Sequence, residues 1–268
     1  MKLKVRTQTG QSKNEQDMPK QFNEPVNPNL IRRAVAVIRS NRRQKYGAAP
    51  EAGKRASAYL SKRRNSYRST YGIGQSRTPR KVMSSRGTRF NWVGAFVPQT
   101  VGGRRAHPPK ADRIWDQKMN KKERRKAIRS AISATVIKEI VCKKHNNVPD
   151  NYPFLIEDAF ENIDKTKKIK EALNKIGLTE ELARTENKKV RAGKGKRRGR
   201  KYKKKVGPLI VVSKECKLLK SATNIPGISI VEVDKLNAEL LAPGTEFGRI
   251  TLFTKSAVER LEKEKLFL

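Results

Sequence analysis

The 268-residue chain carries 63 Lys and Arg against 25 Asp and Glu, a formal net charge of +38, and only 35% of its residues are hydrophobic. A fold with that excess repels itself, so a polyanion belongs to its working state, and nucleic acid is the first candidate. A membrane surface is disfavoured: no run of 18 apolar residues occurs and the first ten residues lack a hydrophobic signal core, so the expected setting is soluble and intracellular.

Taken in chain order, the first predicted element is a helix with Asn27 as N-cap and Pro28 at its first position. Leu30, Ile31, Ala34, Val35 and Ile38 follow the 3.6-residue period. The segment 41–110 breaks the pattern. It has no sustained apolar period, and its eight glycines and five prolines exclude a continuous helix or a buried strand. A second helix is expected from Asn120, with Glu123 completing a capping box and Ile128, Ile132, Val136 and Ile140 forming one core stripe. Phe154–Ile156 reads as a strand, and Asp164 as the cap of a helix through Ile169, Leu173 and Ile176 that Gly177 stops.

After the basic run 188–205, strands and helices alternate. Leu209–Ser213 is a strand, Lys214–Ala222 a helix, Ile228–Val233 a strand and Arg249–Phe253 another. Asp234 is expected to cap a short helix, and Thr254 a last helix through Val258 and Leu261. Alternation with continuously apolar strands implies a parallel sheet covered on both faces, so the expected body is a three-layer α/β fold. It comprises 1–40 and 111–268, with 188–205 as a basic insertion and 41–110 as a long extended basic loop.

The charge is localised. Segment 41–110 holds 17 basic and 1 acidic side chain, and 188–205 holds 12 and none, whereas 1–40, 111–187 and 206–268 carry net charges of only +5, +4 and +1. In the loop, Arg42, Arg43, Lys54, Arg55, Arg63, Arg64, Arg77, Arg80, Arg86, Arg89, Arg104 and Arg105 are mostly guanidinium groups, which grip phosphate bidentately and stack on bases. Tyr59, Tyr67, Tyr71, Phe90 and Trp92 are interleaved with them as platforms for unpaired bases. Arg197, Arg198 and Arg200 belong to the second run, where one aromatic, Tyr202, stands alone; a flexible phosphate coat and an ordered element are both compatible with it.

Enzymatic motifs fail on inspection. Ala52-Gly53-Lys54-Arg55 lacks the leading glycine and following hydroxyl residue of a phosphate loop, and Gly72-Ile73-Gly74 runs into Pro79 rather than a helix. His107, beside Arg104, Arg105 and Pro108-Pro109, suits a rigid RNA-facing turn better than a general base. Cys142 and Cys216 lie 74 positions apart and form no metal-ligand spacing with His107 and His145; Cys142 is expected to be a small buried residue on a helix. No catalysis, cofactor, metal or small-molecule substrate is expected.

Six blocks, NPNLIRRAVAVIRSNRRQKYG (27–47), AGKRASA (52–58), YGIGQSRTPR (71–80), VPQTVGGRRAHPPK (97–110), NKKERRKAIRSAISAT (120–135) and LAPGTEFGRITLFTKSAVERL (241–261), resemble the large-subunit ribosomal protein four family in its archaeal and eukaryotic branch. They span most of the chain from 27 to 261. The stretches Leu60–Thr70 and 86–92 are longer and more basic than in many members. The resemblance implies a Rossmann-like body on the large subunit, touching large-subunit ribosomal RNA and neighbouring ribosomal proteins in the cytoplasmic ribosome. It also implies a loop that supports assembly and lines the nascent-peptide exit tunnel. Gly72, Gly74, Arg77 and Arg80 would then lie near the loop tip, and Gly102, Gly103, Arg104, Arg105 and His107 in the returning limb. A free RNA chaperone, a DNA-packaging protein and a nucleotide-binding enzyme remain the alternatives, the last lacking its glycine-rich strand-to-helix turn.

Overall fold

Asn41 marks the point at which the chain leaves its α/β body. Its side chain holds the returning backbone at Gln117, donating to the carbonyl (3.2 Å) and accepting from the N–H (2.8 Å). The computed structural model describes residues 1–268 and divides into two units: Met1–Arg42 with Asp116–Leu268, and Arg43–Trp115.

The first unit is a mixed α/β fold. Strand β1 (Lys2–Arg6) pairs antiparallel with β2 (Ser12–Asp17), a hairpin that the alternation of buried Leu3 and Val5 with exposed lysines supports. Helix α1 (Pro28–Asn41) begins as expected: the Asn27 side chain accepts from the Leu30 N–H at 3.2 Å, and Ile31, Ala34 and Val35 are buried. Strands β3 (Arg80–Arg86) and β4 (Arg89–Gly94) belong to the second unit, described below. Helix α2 (Lys121–Val136) starts without the expected capping box. Asn120 makes no side-chain cap bond, and Glu123 instead pairs with Arg33 at 2.7 Å. Nor does the helix continue to Ile140, because Ile137 is extended (φ −83°, ψ 105°) and a separate helix α3 (Lys138–Lys144) follows. Cys142 on α3 is exposed, against expectation.

Strand β5 (Leu155–Ile156) runs parallel to β1. Helix α4 (Thr166–Lys175) has Lys165, not Asp164, at its cap; Asp164 faces Lys217 at 3.8 Å. Gly177 ends the helix at φ +98°, with its N–H bonded to the Asn174 carbonyl and that of Leu178 to Leu173. Helix α5 (Thr179–Glu186), which the sequence reading passed over, follows at once. Strands β6 (Lys189–Val190) and β7 (Tyr202–Lys203) form a small antiparallel ribbon.

Strand β8 (Leu209–Val212) is central to a parallel three-stranded sheet, with helix α6 (Lys217–Ser221) leading to β9 (Ser229–Glu232) on one side and β10 (Thr251–Phe253) on the other. Between them lies α7 (Ala238–Leu241), capped by Asn237 rather than Asp234; Asp234 is bound instead by Arg260 at 2.6 Å. Helix α8 (Lys255–Lys263) closes the unit, capped as expected by Thr254 on the Ala257 N–H. The sheets are small, and a single parallel bridge between Ile156 and Thr254 connects β5 to the end of β10. All four residues of β8 are fully buried. Leu209 and Val211 enter the apolar cluster with α1, α2 and α8, while Ile210 and Val212 enter the one with α4 and α6.

In the second unit, β3 and β4 form an antiparallel ribbon, an element the sequence did not announce because neither face of it is buried. Its tip is the two-residue turn Gly87-Thr88, and the φ of +58° at Gly87 is the value such turns require at that place. The rest of the unit is turns and extended backbone.

Candidate nucleic-acid interface

The unit Arg43–Trp115 contains 17 Lys and Arg against Glu51 and Asp112. None of these cations forms an ion pair. The first unit is wired differently: its surface carries pairs such as Arg129–Glu24 (2.8 Å) and Arg260–Glu264 (2.8 Å). Arg42, expected with the loop, sits in this first unit and pairs with Glu239 at 3.1 Å, so its charge is already partly met.

Backbone proximity explains why two glycine-containing blocks are placed as they are. A side-chain carbon on Gly53 would stand 2.5 Å from the Arg104 nitrogen, and one on Gly103 would stand 2.0 Å from the Val97 carbonyl oxygen. The outgoing and returning limbs therefore touch through main chain, which gathers Lys54, Arg104 and Arg105 around a cleft of about 740 Å³ with Pro108 and Pro109. His107 is exposed and lines an adjoining hollow with Tyr46, Arg113 and Trp115.

Arginines and rings meet at three places. Arg43 and Arg113 lie 4.1 and 4.3 Å from the Trp115 ring, which also stacks on Tyr46 at 5.7 Å. On the ribbon, Phe90 stacks on Trp92 (5.3 Å, 21°), Tyr67 meets Phe90 edge-on, Arg68 lies 5.6 Å from both Tyr67 and Phe90, and Arg80 lies 5.9 Å from Trp92. The Trp92 indole donates to Gln75 at 2.9 Å, which fixes its plane. Arg77 covers Tyr71 at 4.6 Å. Such clusters keep guanidinium groups oriented and partly desolvated, ready for phosphate or an unstacked base.

Arg55, Arg63, Arg64, Arg86 and Arg89 are exposed outside these clusters, as are Gly72, Gly74 and Gly102, beside each of which a side chain would meet nothing within 4 Å. Arg197, Arg198 and Arg200 are exposed on the β6–β7 ribbon of the first unit. Sequence reasoning missed Tyr46, Arg68, Arg113 and Trp115. The available signal was an aromatic residue beside an arginine at Tyr67-Arg68, and one two positions from an arginine at Arg113 and Trp115.

A second missed group lies where the β6–β7 ribbon joins the body. Glu181, fully buried, accepts from Arg184 (2.6 and 2.7 Å) and contacts His145 at 2.8 Å, and Arg184 also donates to the Val206 carbonyl. Burial pushes the Glu181 carboxyl up, but Arg184 and His145 outweigh it and hold the group below its ordinary value. Arg249, 1% exposed, donates to the carbonyls of Gly207 (2.7 Å) and Leu240 (2.9 Å) and to the Ser229 hydroxyl (2.8 Å). Burial lowers Arg249 to about 10 and Lys144 to about 8; the nearby Glu246 opposes the shift of Lys144. No group of three or more His, Cys, Asp or Glu side chains is placed to hold a metal ion, and no helix is long and apolar enough to cross a membrane.

The chain is 48% identical over 252 residues to the large ribosomal subunit protein uL4 of Nanoarchaeum equitans, covering 94% of both chains. It is 41% identical to that of Methanosphaera stadtmanae over 97% of this chain and 96% of the relative, and 42% identical to that of Archaeoglobus fulgidus over 97% and 98%. Residues 17–264 match the Ribosomal protein L4/L1 family, a span that holds the whole cationic unit and the body from the end of β2 onward, and the chain belongs to that family.

Proposed function

We propose that this chain is a structural constituent of the large ribosomal subunit, in the cytoplasmic ribosome, where it binds large-subunit ribosomal RNA and neighbouring ribosomal proteins. The family is structural and not enzymatic. The observation that carries the RNA-binding reading is the set of 17 cations in Arg43–Trp115 without a single ion pair, because a segment so charged has its counter-charges elsewhere. Each phosphate it meets releases condensed counterions, so about 6–10 contacts already give strong, salt-sensitive binding.

Within that reading the segment penetrates ribosomal RNA and supports assembly, and its distal part, including Gly72, Gly74, Arg77 and Arg80, borders the nascent-peptide exit tunnel. The body is read as a Rossmann-like three-layer fold. Its support is the parallel order of β10, β8 and β9, the alternation of β8 side chains between two cores, and the bridge that continues the order to β5.

The test is to delete Tyr59–Arg89 and follow assembly. The body is expected to fold, with loss of stable incorporation into large subunits or a changed tunnel. Normal incorporation with an unchanged tunnel contradicts the role given to the loop. Stoichiometric retention of the intact chain on large subunits after a moderate salt wash separates a subunit constituent from a free RNA chaperone, and a preference for ribosomal RNA over duplex DNA separates it from a DNA-packaging protein.

A further inference from the structure

Asn65 lies in the cationic unit, exposed, with its backbone in the left-handed region at φ +56°. It is the one asparagine of the chain followed by serine, and none is followed by glycine. The residue after an asparagine decides how readily its backbone nitrogen reaches the carboxamide. Two heavy atoms on Cβ crowd that nitrogen, and the single hydroxyl of a serine does not.

The local structure leaves both reacting groups open. The Asn65 carboxamide makes no hydrogen bond, and neither does the Ser66 N–H. The turn is closed on its far side, where the Ser66 carbonyl accepts from the Ser69 N–H at 3.0 Å and the Ser69 hydroxyl donates to the Arg63 carbonyl at 2.7 Å. Asn237 is the opposite case. It too precedes a small residue, Ala238, but its side-chain oxygen accepts from the Leu240 N–H at 2.9 Å as the cap of α7, which ties the carboxamide down.

Charge adds a second bias. Arg63, Arg64 and Arg68 flank Asn65 in sequence, in a unit whose 17 Lys and Arg face only Glu51 and Asp112. A positive field concentrates hydroxide and stabilises an anionic nitrogen or oxygen as it forms.

We propose that Asn65 is a spontaneous modification site, whose carboxamide is converted to a carboxylate through a cyclic imide with Ser66 while the chain is free of nucleic acid. The step needs only water. Hydroxide takes the Ser66 amide proton, the nitrogen attacks Asn65 Cγ, and the Cγ–Nδ2 bond breaks to release ammonia, which takes its proton from water and restores the hydroxide. Water then opens the imide: addition at Cγ gives aspartate, and addition at the main-chain carbonyl gives isoaspartate, whose chain runs through the former side chain. The sum is one amide hydrolysed, with no change of oxidation state.

Either product puts an acid among the arginines. On the proposed RNA-binding function, on which this consequence rests, bound RNA covers the turn and keeps hydroxide away, so the acid accumulates on chains that wait without RNA. There it offsets about one phosphate contact, or about 0.7–0.9 in the slope of log affinity on log salt.

The test incubates the purified full chain at mildly alkaline pH and follows every asparagine by peptide mapping. Asn65 is expected to convert several-fold faster than any other, in proportion to hydroxide and with isoaspartate as the main product. Ser66→Val slows it several-fold. Unfolding the chain in urea accelerates Asn237, whose cap is lost, but not Asn65. In a sample loaded with large-subunit ribosomal RNA, with binding verified in that sample, Asn65 stays intact. Asn65→Asp, the fixed product, lowers the salt slope of RNA affinity by about 0.7–0.9, and Asn65→Gln leaves it unchanged.

An Asn65 that stays intact in the free chain, that converts faster only in urea, or whose rate Ser66→Val leaves unchanged overturns the proposal and leaves the RNA-binding function standing. Conversion at the same rate under bound RNA overturns the protection, and an unchanged slope in Asn65→Asp overturns the effect on binding. If RNA fails to bind the unmodified chain, the proposed function is overturned while the modification of the free chain stands.

Discussion

At Gly53 two backbones come so close that there is room for hydrogen only, and the φ of +76° excludes side chains on a second count. Gly53→Ala is therefore expected to separate the limbs of the cationic unit and to lower RNA affinity at least about tenfold by scattering Lys54, Arg104 and Arg105, while the thermal midpoint of the body is unchanged. Gly72→Ala faces open space and meets only the conformational penalty, about 1–2 kcal/mol, which makes it the matched control in the same binding assay. Glu181 poses the opposite problem, a buried carboxylate that survives because Arg184 and His145 surround it. Because its folded-state value lies below the ordinary 4.5, its ionised form stabilises the fold fully above that value, and the contribution is lost as the pH falls below it. Glu181→Gln should cost about 1.5–3 kcal/mol at neutral pH by urea unfolding, with the gap to the parent closing as the solution is acidified. A gap that stays constant down to acid pH would show that Glu181 is not ionised in the fold.

At the level of elements, β8 and the helices around it decide stability. Ile210 lies at the centre of a strand buried on both faces, so Ile210→Ala is expected to cost about 2–5 kcal/mol in chemical denaturation. Asn27→Ala removes only the cap of α1, and about 1 kcal/mol is expected in the same measurement. The elements that could be read from the sequence are those in which a cap and a period agree: α1 with Asn27 and Pro28, α8 with Thr254, and the apolar strand β8. Those that could not be read fail for identifiable reasons. The period of α2 runs on through Ile140, but the backbone turns extended at Ile137, and the Thr135 carbonyl accepts from the distant Tyr152 hydroxyl, a contact no local window of sequence contains. Asp164 and Asp234 look like caps but are drawn to Lys217 and Arg260, and Glu123 to Arg33, because a basic chain offers each carboxylate a cation. Helix α5 is eight residues long and begins directly after a stop signal. The β3–β4 ribbon buries neither face, so it carries no apolar alternation to read.

For the whole molecule the decisive fact is where the charge lies, and this was legible from counting alone: 41–110 and 188–205 hold +16 and +12 of the total +38. What counting could not supply was the arrangement. Arg43 meets Trp115 across 72 positions, and Lys54 meets Arg104 and Arg105 across a cleft, pairings that no local window of sequence contains. Outside those two segments the charges are nearly balanced, and ribosomal RNA is the counter-charge proposed for the cations left unpaired. The most direct test is protein–RNA crosslinking in assembled large subunits, reading which residues carry the linked nucleotide. Crosslinks are expected within Arg43–Trp115 and 188–205, with Tyr67, Phe90, Trp92 and Trp115 among the linked rings. Crosslinks confined to the body, with both cationic segments unmarked, would contradict the account.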